Sequence, residues 1–372
     1  MLALKTLVSD RRKLLTALLG VAFSVVLVNL QGGLFLGLIR KASLLVDHGG
    51  ADIWVGHKRM HNVDFAKDIP TSWIYRLRTI EGVQAAEPYL IGHSMMTLPD
   101  GGFEPVFIIG SKKHSSLGGP RNLCDGSIDA LRSNNGVTVD VYDADKLLSP
   151  QFGEIREIGG QRVRVVARTR GILGFLVTPY IFTTLDRAHT LLGKDPDFSS
   201  YFLVKLDDGA EPRKILQEIR RRLPEADAYT AGEYARLSAA YWMQRTGLGI
   251  SFGAATLLGL LVGVLIVAQT LYASVLDRLA EFGALKAIGA ADQKIFLLLV
   301  AQAVVMAVVG SLLGLCVVFL IQSLWSTPRA SILVPWTLSL GSCVVVFGVC
   351  VVSSLFPYLR IRRMDAATIL QM

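Results

Sequence analysis

Four stretches of this chain carry no Asp, Glu, Lys, Arg or His: residues 14–39, 247–276, 295–324 and 331–359. At about 1.5 Å per helical residue, each reaches or exceeds the roughly 30 Å hydrocarbon core of a bilayer. A helix of that length in a water-soluble protein keeps a polar face, and these runs have none. They read as four transmembrane helices. Basic residues precede the first run as they would a signal peptide, yet it is too long and no small-residue cleavage site ends it. It reads as an uncleaved anchor.

Short basic flanks orient the spans. Lys5, Arg11, Arg12 and Lys13 precede the first, and Arg360, Arg362 and Arg363 follow the last. The loop between the third and fourth, residues 325–330, holds only Arg329. The positive-inside rule then places both ends in the cytoplasm: residues 1–13 as an N-terminal segment and 360–372 as a tail. Residues 277–294 are also cytoplasmic, and residues 40–246 lie outside. The expected fold is a membrane protein of four transmembrane α-helices, with a large extracytoplasmic α+β domain between helices 1 and 2. The formal charge of +8 calls for no nucleic acid, since the basic ends sit against anionic headgroups of the bilayer.

Within the external segment, periodicity changes to that of a mixed soluble domain. Strands are expected at 51–57, 85–98, 104–110, 137–142, 161–169, 179–184 and 200–206, with helices at 71–80 and 211–223. Gly159-Gly160 predicts a tight hairpin joining 154–158 to 161–169. The polar, Gly-rich stretch 111–135 reads as a long surface loop. A last helix, 231–245, reads as running straight into the second span. Cys124 is the lone external cysteine, so this domain holds no internal disulfide.

Chemistry is sparse. No GxxxxGK[ST] phosphate loop is present, so ATP is not bound in that manner. His57 and His61 have the i, i+4 spacing of a helical metal pair, but Gly56 and an extended pattern argue against a helix there. Asp140, Asp143 and Asp145 lack the glycine and terminal glutamate of a calcium loop and read as loop or cap residues. We read no nucleophile elbow, no metal and no cofactor in this chain. The spans hold only Asn29, Gln269 and Gln302 as notable polar side chains, which disfavours proton-coupled transport. Glycines repeat at four residues in Gly33 and Gly37, Gly249 and Gly253, Gly259 and Gly263, and Gly310 and Gly314. Such pairs let helices approach closely, within one bundle or across a dimer seam.

Charge returns between the second and third spans. If residues 277–289 are helical, Asp277, Arg278, Glu281 and Leu285 share one arc, while Leu276, Leu279, Ala280, Gly283 and Ala287 share the other. Gly289 stands where a left-handed residue ends a helix, and Asp292 is placed to cap the next.

Glu281, Gly283, Lys286 and the run Ala287-Ile288-Gly289-Ala290 make this segment resemble the cytoplasmic coupling helix of the MacB and FtsX superfamily of ABC transporter permeases. The resemblance covers essentially the whole chain. It is nearest to DevC-type exporters through Ala51-Asp52-Ile53-Trp54-Val55, Ser149-Pro150-Gln151-Phe152-Gly153, Tyr241-Trp242 and Gln269-Thr270-Leu271-Tyr272. Ala366, where the family often has proline, and the insertion near Gly118-Gly119-Pro120 depart from it.

The resemblance implies a permease subunit of the bacterial inner membrane, not itself an enzyme. It implies a separate cytoplasmic ATPase dimer that binds ATP and Mg and presses on Asp277, Arg278, Glu281, Gly283, Leu285, Lys286 and Gly289. It further implies a homodimer with a glycine seam, a periplasmic adaptor (membrane fusion protein), an outer-membrane channel and a lipid-like or other periplasmic or outer-leaflet substrate. The alternative is an FtsX-type scaffold that transports nothing and regulates an external partner such as a cell-wall hydrolase.

Overall fold

A computed structural model describes residues 11–113, 115, 117–132, 135–175, 178–245, 247–277, 292–355 and 358–359. The chain divides into a membrane unit, residues 1–37 and 247–372, and an intervening unit, residues 38–246. The first apolar run forms α1 (Arg11–Lys41), ended by Arg40 and Lys41, whose charge complements a helix C-terminus.

The intervening unit continues through α2 (Leu44–His48), β1 (Ile53–His57), β2 (Ile69–Pro70), α3 (Ile74–Arg78), β3 (Val83–Thr97) and β4 (Phe103–Ser111). Next come β5 (Leu123–Gly126), α4 (Ile128–Leu131), β6 (Gly136–Asp140), β7 (Ile155–Ile158), β8 (Gln161–Thr169) and β9 (Tyr180–Thr184). It closes with α5 (Leu185–Leu192), β10 (Phe198–Ser199), β11 (Tyr201–Leu206), α6 (Pro212–Arg222), β12 (Ala226–Thr230) and α7 (Ala231–Arg245).

β1 lies between β11 and β12, antiparallel to both, and is buried on its two faces. That explains its unbroken apolar run, which a half-exposed strand would not have. Ile53 and Val55 pack into a core with Ile74 and Leu77 of α3 and Leu216 and Ile219 of α6. Trp54 points to the opposite core, beside Leu45 of α2 and Tyr234 of α7. The 15-residue β3 joins two parts of the sheet: its first half pairs β11, its second half β4, and its end reaches β7. A third core forms there from Leu90, Val106, Ile108, Val137, Val163, Val165 and Ile181, covered by Ala188 and Leu191 of α5. The Gly159-Gly160 hairpin forms as expected, both residues left-handed at φ 56° and 75°, with Ile158 opposite Gln161.

Residues 111–135 are not a surface loop throughout. Leu117 is buried in the Trp54 core, and the Gly118 N–H donates to Gly49 O at 2.8 Å. Gly118, at φ +69°, lies so close to Tyr89 that a Cβ would press into the ring. β5 pairs with β8, and Ser127 caps α4 through the Ala130 N–H at 3.1 Å. Polar composition concealed these anchors.

The membrane unit adds α8 (Leu248–Asp277), α9 (Asp292–Trp325) and α10 (Trp336–Ser353). With α1 these give four helices long and apolar enough to cross a bilayer: Leu14–Lys41, Leu248–Thr270, Phe296–Trp325 and Trp336–Ser353. Two boundaries differ from expectation. The expected continuous helix is instead two elements, α7 ending at Arg245 and α8 beginning at Leu248, with Gly247 at φ +67°, outside helical geometry. The fourth helix begins at Trp336 after Pro335 rather than at 331. Residues 331–335 instead lie extended against α1, where the Leu333 N–H donates to Gly33 O at 3.0 Å.

Trp54 is fully buried and touches Tyr89, Tyr201 and Tyr234 with ring centroids 5.5–5.7 Å apart. Trp54→Ala is expected to cost about 3–5 kcal/mol and abolish the near-ultraviolet dichroism of this cluster, which chemical denaturation of the full chain would measure.

Candidate functional site

The glycine pairs and polar side chains of the four apolar helices are candidate packing residues, so the packing of these helices forms the first part of the site. In hydrocarbon there is little hydrophobic drive between helices, and association rests on close packing and polar contacts. α1 meets each of the other three helices, and α10 packs against α8 and α9 as well. Gly310 and Gly314 of α9 face Val21 and Val25, where an added Cβ would come within 2.6 and 2.8 Å of those side chains. Gly259 of α8 lies against Leu27, and Gly263 against Ser24. The Ser24 hydroxyl bonds Gly20 O at 3.0 Å within its own helix and Gly259 O at 3.3 Å on α8. Asn29 is wholly buried and donates to Ser342 Oγ of α10 at 2.7 Å and to Val25 O at 2.8 Å.

The predicted site residues separate in this arrangement. Gly33 and Gly37 receive the extended segment 331–334 rather than another helix. Gly259 and Gly263 meet α1. Gly249 occupies the first turn of α8, and Gly253 has nothing within 4 Å. Gly253 lies on a stripe of uncovered residues with Ile250, Leu257, Leu258, Leu261 and Leu265. Asp277 is the last residue of α8. Arg278, Glu281, Gly283, Leu285, Lys286 and Gly289 lie outside the described residues, as does the left-handed stop expected at Gly289.

The second part is the base of α7 in the intervening unit. Trp242 is buried and stacks on Phe175, ring centroids 4.2 Å apart, with Phe65 at 5.7 Å. Beside it lies Asp64, a buried carboxylate that accepts from Tyr180 Oη at 2.7 Å. Burial holds the Asp64 carboxyl above the usual carboxylate range, and the Tyr180 and Trp242 donors offset only part of this. Higher in α7, Tyr234 donates to Tyr201, which donates to the carbonyls of Asn62 and Val63 at 3.1 Å. The loop 62–65 is thus clasped between β11 and α7. Sequence reasoning passed over Asp64, although an acidic residue between Val63 and Phe65 was a signal that it sits in apolar surroundings.

Among the described residues, the candidate hydrolytic and metal-binding groups do not come together. The spacing G-x-S-x-G does occur, as Gly249-Ile250-Ser251-Phe252-Gly253. It lies inside the first turns of α8, where Ser251 Oγ donates to Gly247 O at 3.2 Å, and not on the strand-to-helix turn of a nucleophile elbow. His57 ends a strand, and no group of three metal-ligating side chains occurs among the described residues. Asp140 braces a loop, accepting from Tyr142 N, Thr169 Oγ1 and Ile172 N at 3.0 Å each.

Comparison with known proteins matches two family models in tandem. The MacB-like periplasmic core domain matches residues 14–222, more than half of the chain, and the FtsX-like permease C-terminal domain matches residues 253–366. The chain belongs to the MacB and FtsX superfamily of ABC transporter permeases. An uncharacterized ABC transporter permease of Methanocaldococcus jannaschii is 23% identical over 220 residues, 56% of this chain and 54% of that protein. The chain therefore spans about half the length of the curated relative it matches. Similar solved structures include the periplasmic region of MacB from Actinobacillus actinomycetemcomitans, at 9% identity and TM-score 0.39, covering 51% of this chain and 94% of that one. Another is the extracellular domain of the transporter YknZ from Gram-positive bacteria, at 15% identity and TM-score 0.37, covering 48% and 98%.

In this permease, the segments that carry the family likeness hold the intervening unit together. Asp52 accepts from Leu206 N at 2.8 Å, pairs with Lys205 at 3.0 Å, and its carbonyl receives the Ala231 N–H that starts α7. Ser149-Pro150-Gln151-Phe152-Gly153 is a tight turn with Leu148, Ser149 and Gly153 at φ 53°, 47° and 83°, closed by Gly153 N–H to Val165 O at 2.7 Å. Tyr241-Trp242 supplies the stack at the base of α7.

Two predictions follow from the packing. Gly263→Leu should destabilise the detergent-solubilised permease by about 1–3 kcal/mol by prising α8 from Ser24, whereas Gly253→Leu, at a position that meets nothing within the single chain, should leave the thermal unfolding of the monomeric subunit unchanged. Asp64 binds its proton more tightly in the native state than in the unfolded chain, where its pKa is near 3.8. Its contribution to stability is therefore fully present below about pH 4 and is lost as pH rises toward the elevated native value. Asp64→Asn should raise the unfolding temperature at pH 8 and leave it little changed at pH 4.

Proposed function

We propose that this permease is a mechanotransmitting subunit of a DevC-type exporter in a bacterial inner membrane, with N- and C-termini cytoplasmic. A cytoplasmic ABC ATPase dimer, holding ATP and Mg in a separate polypeptide, closes on residues 277–289 of each permease. The permease itself is no enzyme. The observation that carries this reading is the order of parts along the chain. One short segment with Asp277, Arg278, Glu281 and Lys286 joins α8 to α9, and α8 is preceded in sequence by α7, whose Trp242 is buried in the periplasmic-type domain.

Force on the segment is carried along α8 toward its start at Leu248, just after Gly247. Moving α7 pulls on Asp64 and Trp242 and changes the shape of the external domain. A second copy packs on the uncovered stripe of α8 around Gly253, where a glycine leaves room for a close approach. A periplasmic adaptor and an outer-membrane channel complete a path for a lipid-like or other periplasmic or outer-leaflet substrate.

The test is ATP hydrolysis by the reconstituted complex. Glu281→Ala with Lys286→Ala should reduce permease-stimulated turnover about tenfold, toward that of the ATPase alone, with membrane insertion intact. Unchanged stimulation would overturn the coupling role. Co-purification of a cell-wall hydrolase without adaptor or channel would instead select the FtsX-type regulatory scaffold.

A further inference from the structure

The Gly-rich stretch that departs from the family pattern builds one wall of a cavity of about 240 Å³ in the intervening unit. Four cations line it: Lys112, Lys113, Arg121 and Arg132. No carboxylate lines it among the described residues. Two of the four are tethered, Lys112 to Glu87 at 3.1 Å and Arg132 to Asp129, while the Arg132 Nε also donates to Lys113 O at 2.6 Å. Lys113 and Arg121 have no ion-pair partner among the described residues. The hydroxyls of Ser111 and Thr184, also in the lining, make no hydrogen bond to other described residues. Pro120, Ile128 and Leu131 add an apolar side.

The wall is anchored, not a waving loop. Leu117 is sunk in the Trp54 core, Gly118 is bonded to Gly49, and the Arg121 guanidinium fills the space above Gly50, itself at φ +72°. The loop holds two exposed cations without ion-pair partners beside free hydroxyl donors, a set of groups that an anion would complement. A phosphate monoester carries about −1.5 to −2 charge at neutral pH and three acceptor oxygens, which matches the two unpaired cations better than a single carboxylate does.

We propose that this cavity binds a phosphate monoester group, borne by a lipid headgroup or by a small soluble ester, in the external domain and independently of ATPase coupling. Arg121 supplies a planar fork of donors, Lys113 a mobile point charge, and Ser111 and Thr184 the neutral donors. The apolar side accepts the part of the ligand next to the phosphate.

Isothermal titration of the full-length permease in neutral detergent tests this, with inorganic phosphate, short-chain phosphatidic acid and, as a control without a monoester, short-chain phosphatidylcholine. Phosphatidic acid should bind, binding should weaken as salt rises, and Lys113→Gln with Arg121→Gln should weaken it roughly tenfold or more. Tighter binding of phosphatidic acid than of inorganic phosphate assigns the site to lipid headgroups. Equal binding assigns it to soluble esters. Acylation footprinting of the unmodified protein gives a second readout, since bound ligand should protect Lys112 and Lys113 but not the exposed Lys214. Binding that the double variant retains, binding of phosphatidylcholine equal to that of phosphatidic acid, or no protection of the two lysines would overturn the proposal.

Discussion

Hydrocarbon offers no hydrogen bonds and little hydrophobic reward for joining one apolar helix to another, so the membrane unit depends on how closely backbones can approach. α1 solves this with small residues met on several sides: Gly20 and Ser24 toward α8, Val21 and Val25 under the glycines of α9, and Asn29 bonded to Ser342 of α10. Ser24 and Asn29 satisfy a backbone carbonyl of their own helix while reaching to a neighbour. Polar contact is thereby gained inside the bundle, although the buried Asn29 Oδ1 has no hydrogen-bond partner among the described residues.

The intervening unit obeys the opposite solvent. Water drives apolar area inward, and the result is a sheet whose strand β1, flanked by β11 and β12, is buried on both faces. Large aromatic rings fill one side, so the unit needs no disulfide, and Cys124 stays free and exposed. The same crowding clasps α7: the helix that leads toward the membrane is held by a buried acid, two tyrosine hydroxyls and a stacked indole.

Most of the architecture was legible in the residues. Charge-free runs announced the spans, Gly159-Gly160 the hairpin, and the apolar triplet Ile53-Trp54-Val55 a strand without a wet face. Less legible was the stretch 111–135, because polar composition resembles a loop even when one leucine and one left-handed glycine pin it to a core. The helix boundary before Gly247 was hidden for a related reason: apolar continuity says nothing about φ. The start of the fourth helix was hidden too, since residues 331–335 are as apolar as a span yet are extended.

What the sequence alone determined was membership of a solvent: which segments enter lipid, which stay in water, and the absence of a phosphate loop. Those are properties of composition and period, which each segment carries by itself. Tertiary structure decided pairings. Gly259 and Gly263 meet α1 while Gly253 meets nothing, though all three repeat at the same spacing. Asp64 became a buried acid beside Trp242, and Lys113 and Arg121 were left unpaired around one cavity, because residues far apart in the chain met only after it folded.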